Sequence, residues 1–309
     1  SGIKVFSPAT VSNLGCGFDI IGFPLEGVGD TLKVQKNSNS TINITDITGY
    51  QDIPRDAKKN VASFAIMKML DLLKTDQGFD IEIHKEVMPG SGIGSSACSS
   101  TAAVVAVNEL LGKPFDQNQL IELAMEGEGM ASGGKHADNV APAILGGITI
   151  IRSYNPFDVI RIEPPEELWA TLIHPQVEIK TELSRSILPK QVKLMEAVKQ
   201  WGNVAGLVAG FYTSDYGLIG RSMEDVIVEP VRSSFIPGYS RIKSAALANG
   251  ALGCTISGSG PSVFALCKGE ESACKVKSAM ENAYKEEDIT FKMYCTKIRK
   301  NGTENIQTW

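Results

Sequence analysis

Val87-Met88-Pro89-Gly90-Ser91-Gly92-Ile93-Gly94-Ser95-Ser96-Ala97-Cys98-Ser99-Ser100 reads as a strand end, a glycine-rich loop and the start of a helix. Glycines at 90, 92 and 94 let the main chain approach a ligand with no side-chain wall between them. The run from Ala97 to Leu111 is almost wholly apolar and stops at Gly112, with Pro114 just beyond. That is the pattern of a buried helix with a glycine C-cap. Its N-terminus, near Ser95 and Ser96, offers unpaired N–H groups and the positive end of the helix dipole, which together attract an anion. A nucleotide triphosphate is the anion this pattern first suggests, although a ligand-free strand-to-helix turn has the same local signature. Ser95 stands where a Walker A loop needs lysine, and the glycine spacing does not match a dinucleotide fingerprint.

The chain has 309 residues, enough for one large or two medium domains, and 43% of them are apolar, enough for a sizeable core. A net charge of −5 argues against nucleic acid or an anionic membrane as partner. No apolar run reaches the length of a membrane span. The opening residues, Ile3 to Phe6, read as a strand rather than a signal peptide. Six cysteines show no paired or metal-binding spacing, and Cys98 and Cys267 sit in apolar runs as buried thiols. A cytoplasmic protein is expected.

Further strands are expected at about 31–36, 41–47 and 79–85, where apolar residues alternate. Between them Val61, Phe64, Ala65, Met69 and Leu72 share one helical face, with Asn60 as N-cap. Asp116 and Gln119 form a capping-box pattern opening a helix through Met125 or beyond, with Glu126, Gly127 and Glu128 at its end. Lys135, His136, Asp138 and Asn139 crowd beside Gly133-Gly134 and an apolar run, so they must satisfy one another or a ligand. Pro156, Pro164 and Pro165 among acidic residues mark a hinge, which divides the chain into 3–165 and 166–309. Glu229 to Arg232 reads as a loop with a basic end, and Cys254 to Phe264 as a strand, a glycine–serine turn and a second strand or helix start.

The Pro-x-x-Gly-Ile-Gly-Ser-Ser-Ala-Cys pattern resembles the phosphate loop of the GHMP small-molecule kinases. Asn13-Leu14-Gly15-Cys16-Gly17-Phe18-Asp19 resembles the first signature of that family, and Ser257 to Ser262 the third. The first signature and Lys135 to Pro142 are most similar to the branch acting on homoserine. The resemblance implies an α+β, two-domain GHMP kinase fold. Its first domain would be ribosomal-protein-S5-like and bind nucleotide, its second ferredoxin-like and contribute substrate contacts, with the site in the cleft between them. It further implies ATP and Mg2+, with Pro89, Gly90, Ser91, Gly92, Ile93, Gly94, Ser95, Ser96 and Ala97 at the phosphates and Asn60 near the base. Ser96 and Glu128 would face the metal, which needs few protein oxygens besides phosphate.

The acceptor implied is L-homoserine, phosphorylated on its side-chain hydroxyl. Arg185 and Arg232 would fork its carboxylate and Asp19 would take its ammonium, with Asn13, His136, Thr181 and Asn139 as polar neighbours. The family's catalytic aspartate registers on either Asp138 or Asn139. If it is Asn139, no carboxylate abstracts the proton, and a loose transition state tolerates this. Another GHMP kinase acting on a different alcohol, a non-catalytic sensor on the same scaffold and a decarboxylase relative remain open. A homodimer is compatible with all of these readings.

Overall fold

The computed structural model describes every residue from Ser1 to Trp309. The first half is a sheet covered by helices. β1 (Gly2–Ser12) pairs antiparallel with the long β2 (Ile21–Asn37). The far end of β2 pairs with β4 (Gly78–Lys85), which lies parallel to β3 (Ile42–Gly49). The near end of β2 pairs with β5 (Ile148–Tyr154), which forms a hairpin with β6 (Phe157–Ile162). Leu32 and Val34 face Ile83 and Ile81 across the β2–β4 ladder. Their shared side meets α1 (Val61–Leu73), α2 (Ser95–Leu110) and α3 (Gln117–Ser132) in one core. The short α4 (Val140–Leu145) joins the same layer.

Local signals set the ends of these helices. The Asn60 side chain accepts from the Ala62 amide at 2.9 Å, and the Asp116–Gln119 capping box is complete in both directions. α3 runs on to Ser132, so Glu126 and Glu128 lie inside it rather than at its end.

The second half is a four-stranded sheet in the order β10-β7-β9-β8, comprising β7 (Leu168–Pro175), β8 (Gly253–Ile256), β9 (Val263–Lys268) and β10 (Phe291–Lys297). All its pairs are antiparallel, and with α9 (Tyr239–Ala248) and α10 (Glu270–Tyr284) the connectivity is the βαββαβ of a ferredoxin-like unit. Alternation splits its side chains between two cores. Val263, Ala265 and Cys267 meet α9 and α10, while Phe264 and Leu266 meet α6 (Leu194–Thr213), α7 (Tyr216–Ser222) and the first sheet. That second cluster joins Ala9, Val11, Ile21 and Phe23 of β1 and β2 to the second sheet, so the halves meet over an apolar contact.

Three expectations need correction. Pro156 forms the β5–β6 hairpin turn, where the chain must reverse, and of the expected hinge only 163–167 leads from the first half into the second. Glu229–Arg232 is a short helix, α8, with Pro230 in its first turn, a position where the missing N–H costs nothing. The chain also crosses back at its end: β11 (Glu304–Thr308) pairs with β1 on the first sheet, so the last strand departs from the division at 165/166.

Candidate active site

A cavity of about 510 Å³ opens where the glycine-rich loop, the start of α1, the last turns of α3 and the second half converge. α2 starts at Ser95, with Gly94 as N-cap in the left-handed region at φ +72. A Cβ there would stand 2.1 Å from Thr10 Oγ1 and 3.3 Å from Asn139 Oδ1, so only glycine fits. Gly92 is equally confined, with the carbonyls of Ser257 and Gly260 at 2.7 Å from a built Cβ. The hairpin between β8 and β9 is therefore clamped on the loop. Ser257 Oγ donates to Gly92 O at 2.8 Å and Ser262 Oγ to Ser91 O at 2.6 Å.

Ser91 lines the cavity with a buried hydroxyl that has no partner, a donor free for an anion. Pro89, Gly90, Gly92, Gly94, Ser95 and Ser96 line it too. Ile93 and Ala97, expected among the phosphate contacts, send their side chains into the cores instead. Asn60 and Val61 border the cavity, but both polar atoms of the Asn60 side chain are used, one by the Ala62 amide and one by Pro54 O.

Ser96 Oγ donates to Glu128 Oε1 at 2.6 Å. Glu128 is buried, and burial pushes its carboxyl above the ordinary range, the Ser96 hydroxyl opposing. A desolvated carboxylate beside a hydroxyl is a donor set that suits Mg2+ when phosphate oxygens complete the shell. No cluster of three or more histidine, cysteine, aspartate or glutamate side chains could hold a metal without such help.

Beneath this corner lies a buried ion pair that motif reading passed over. Lys85 Nζ pairs with Asp30 and donates to Ser95 O at 2.6 Å and Ser99 Oγ at 3.1 Å. Asp30 also accepts the amides of Glu86 and Val87, each at 2.9 Å. Two of the three ammonium protons thus brace the first turn of α2 and the third goes to Asp30 on β2.

At the other end Asp19 and Arg185 form a bidentate pair at 2.7 and 3.0 Å. The Asn13 side chain receives the Asp19 amide and donates to Gly258 O, each at 3.0 Å. His136 Nδ1 lies 3.8 Å from Asp19, and burial, with Arg185, pushes its ring below the ordinary value. Arg232 is 3% exposed and has no acidic partner; it donates from Nε to Ser184 O at 3.1 Å, and its Nη2 has no partner at all. Thr181, at the start of α5 (Thr181–Ser186), lies 3.4 Å from Ser259 across the cavity mouth. Thr10 Oγ1 donates to Asn139 Oδ1 at 2.7 Å, which leaves the Asn139 amide hydrogens to donate. Asp138 is buried beside them, and burial first, then Asp19, pushes its carboxyl up to about 7.

Residues 60–147 match the family model for the GHMP kinases N terminal domain, and 207–286 the model for GHMP kinases C terminal. The chain is 45% identical to the homoserine kinase of Chlorobium phaeobacteroides strain BS1, over 97% of this chain and 98% of that one. The crystal structure of homoserine kinase from Cytophaga hutchinsonii superposes with a TM-score of 0.95 at 48% identity, covering 99% of this chain and 97% of that one. A mevalonate kinase from L. major shares the fold at a TM-score of 0.72 and 17% identity, over 96% of each chain.

Proposed function

The chain belongs to the homoserine kinases of the GHMP kinase family, and from that premise we propose how its residues carry the γ-phosphoryl group of ATP to the hydroxyl of L-homoserine. The observation that carries the reading is Arg232, a buried guanidinium without a counter-ion beside an Asp19–Arg185 pair. A zwitterion completes this arrangement: its carboxylate supplies the anion Arg232 lacks, and its ammonium competes for Asp19. A neutral alcohol would leave the guanidinium unpaired, and mevalonate or shikimate, which carry a carboxylate but no ammonium, would offer Asp19 nothing to bind. A coupled ADP-release assay tests the reading, with homoserine active and mevalonate and shikimate inactive; equal turnover of mevalonate sinks it.

The loop amides, the Ser91 hydroxyl and the tip of α2 hold the triphosphate. Bound Mg2+ supplies charge neutralisation, with Ser96 and Glu128 as its protein oxygens. Asn139 orients the acceptor hydroxyl through its amide N–H groups, with Thr10 fixing which way it points. Phosphoryl transfer asks chiefly for positioning, so the hydroxyl gives up its proton late and no side chain acts as an obligatory base.

Asp138→Asn is therefore expected to lower kcat by less than about tenfold. The same variant reports on stability. The folded-state carboxyl of Asp138 holds its proton up to about pH 7 against an ordinary 3.8, so its stabilising contribution is complete below that ordinary value and is lost as pH rises through about 7. Urea midpoints between pH 5 and 8 should fall in the parent relative to Asp138→Asn, each unit of pKa separation being worth about 1.4 kcal/mol. Parallel curves would mean that the carboxyl is not held neutral.

We place the enzyme in the cytoplasm, a reading supported by six unpaired cysteines. We also propose a homodimer through α6. Leu194, Val198, Trp201 and Tyr212 form one exposed apolar stripe there, with Met195 at its edge. Paired across a two-fold axis these side chains bury on the order of 1,000 Å², the scale of a specific interface. Trp201→Glu should halve the mass seen by light scattering; an unchanged mass sinks this assignment.

A further inference from the structure

Arg185 and Arg232 repel each other, yet both guanidiniums approach one ring: their central carbons lie 5.6 and 5.2 Å from the centroid of Phe18. Arg185 has Asp19 to offset its charge, whereas Arg232 has only a backbone carbonyl. The negative face of the aromatic ring attracts both at close range, adding to the more distant pull of Asp19 and Asp138. Phe18 is half-buried and does not line the cavity, so it acts through the arginines and not on the acceptor. The turn that delivers it is fixed, because Asn13 Oδ1 takes the amide of Asp19, which stands at φ +63.

We propose that Phe18 is a positioning residue that keeps the two guanidiniums convergent, so that the site prefers an acceptor with a carboxylate. This rests on the reading that the carboxylate of homoserine lies on Arg185 and Arg232. Two arginines fork one carboxylate only when both guanidiniums converge on it. Without the ring's attraction the like charges spread, and an alcohol lacking the carboxylate would not register the change.

Phe18→Leu keeps an apolar side chain without a π face, and Phe18→Tyr keeps the face. KM and kcat are to be measured with homoserine and with 3-amino-1-propanol, the same acceptor without its carboxylate. Phe18→Leu should raise KM for homoserine about tenfold or more. Its kcat, its KM for ATP and its activity on 3-amino-1-propanol should stay near the parent values. Phe18→Tyr should stay within about threefold of the parent. If Phe18→Leu matches Phe18→Tyr, or if both acceptors and ATP are affected alike, the ring only fills space and the proposal fails. A parent enzyme that uses 3-amino-1-propanol as readily as homoserine would instead overturn the carboxylate reading, whatever the variants do.

Discussion

Glu128→Ala combined with Ser96→Ala should lower kcat by about a thousandfold or more, which corresponds to about 4 kcal/mol of transition-state stabilisation. The two side chains touch at 2.6 Å from different helices, so they form one corner of the cavity and act as a unit. Glu128 lies in a desolvated setting where its charge is costly, as its raised carboxyl shows. A fold has little reason to keep a carboxylate there unless a cation uses it. Glu128→Gln separates the roles: it preserves volume and can still accept the Ser96 hydroxyl, but it carries no charge. It should lose most of the activity and require more Mg2+ for half-maximal rate, while its urea midpoint stays at or above that of the parent. Turnover of Glu128→Gln within tenfold of the parent, at the same Mg2+ requirement, would remove Glu128 from the metal corner.

The parts of this site legible in the sequence were those built on local rules. Loop glycines, the Asn60 cap and the Asp116–Gln119 capping box each need only a few neighbouring residues, and each stands where expected. The contacts between distant segments were not legible, because nothing local encodes Thr10 against Asn139 or Phe18 against two arginines from the second half. The Lys85–Asp30 pair is an intermediate case. Ile81 and Ile83 point inward along β4 and Lys85 follows in phase; Leu32 and Val34 point inward along β2 and Asp30 is in phase with them. A charge continuing an apolar alternation is a signal for a buried pair, and it was there to be read. β11 offered none: every residue from Glu304 to Thr308 is exposed, so no alternation marks it and only its pairing with β1 defines it.

Arg232→Met should weaken the enzyme's hold on homoserine and strengthen its fold. Arg232 is buried with one hydrogen bond and no acid, and burial, with Arg185 adding to it, pulls its pKa down to about 10. The folded protein therefore carries the desolvation cost of a cation that no carboxylate in contact neutralises. Methionine fills much of the same space without the charge, so the urea midpoint should rise by the equivalent of about 1–3 kcal/mol. The acceptor's carboxylate, in contrast, loses a charge-assisted fork worth about 2–4 kcal/mol, and KM for homoserine should rise by about 30- to 1,000-fold. KM for ATP should hardly move, because Arg232 is at the substrate end of the cavity. Arg185→Met sharpens the comparison. It strips Asp19 of its bidentate partner, so it should weaken substrate binding and lower stability together. The opposite signs on stability distinguish an arginine kept for its ligand from one that also braces the resting site. If Arg232→Met is destabilised and its KM for homoserine is unchanged, Arg232 is a structural residue and the carboxylate binds elsewhere.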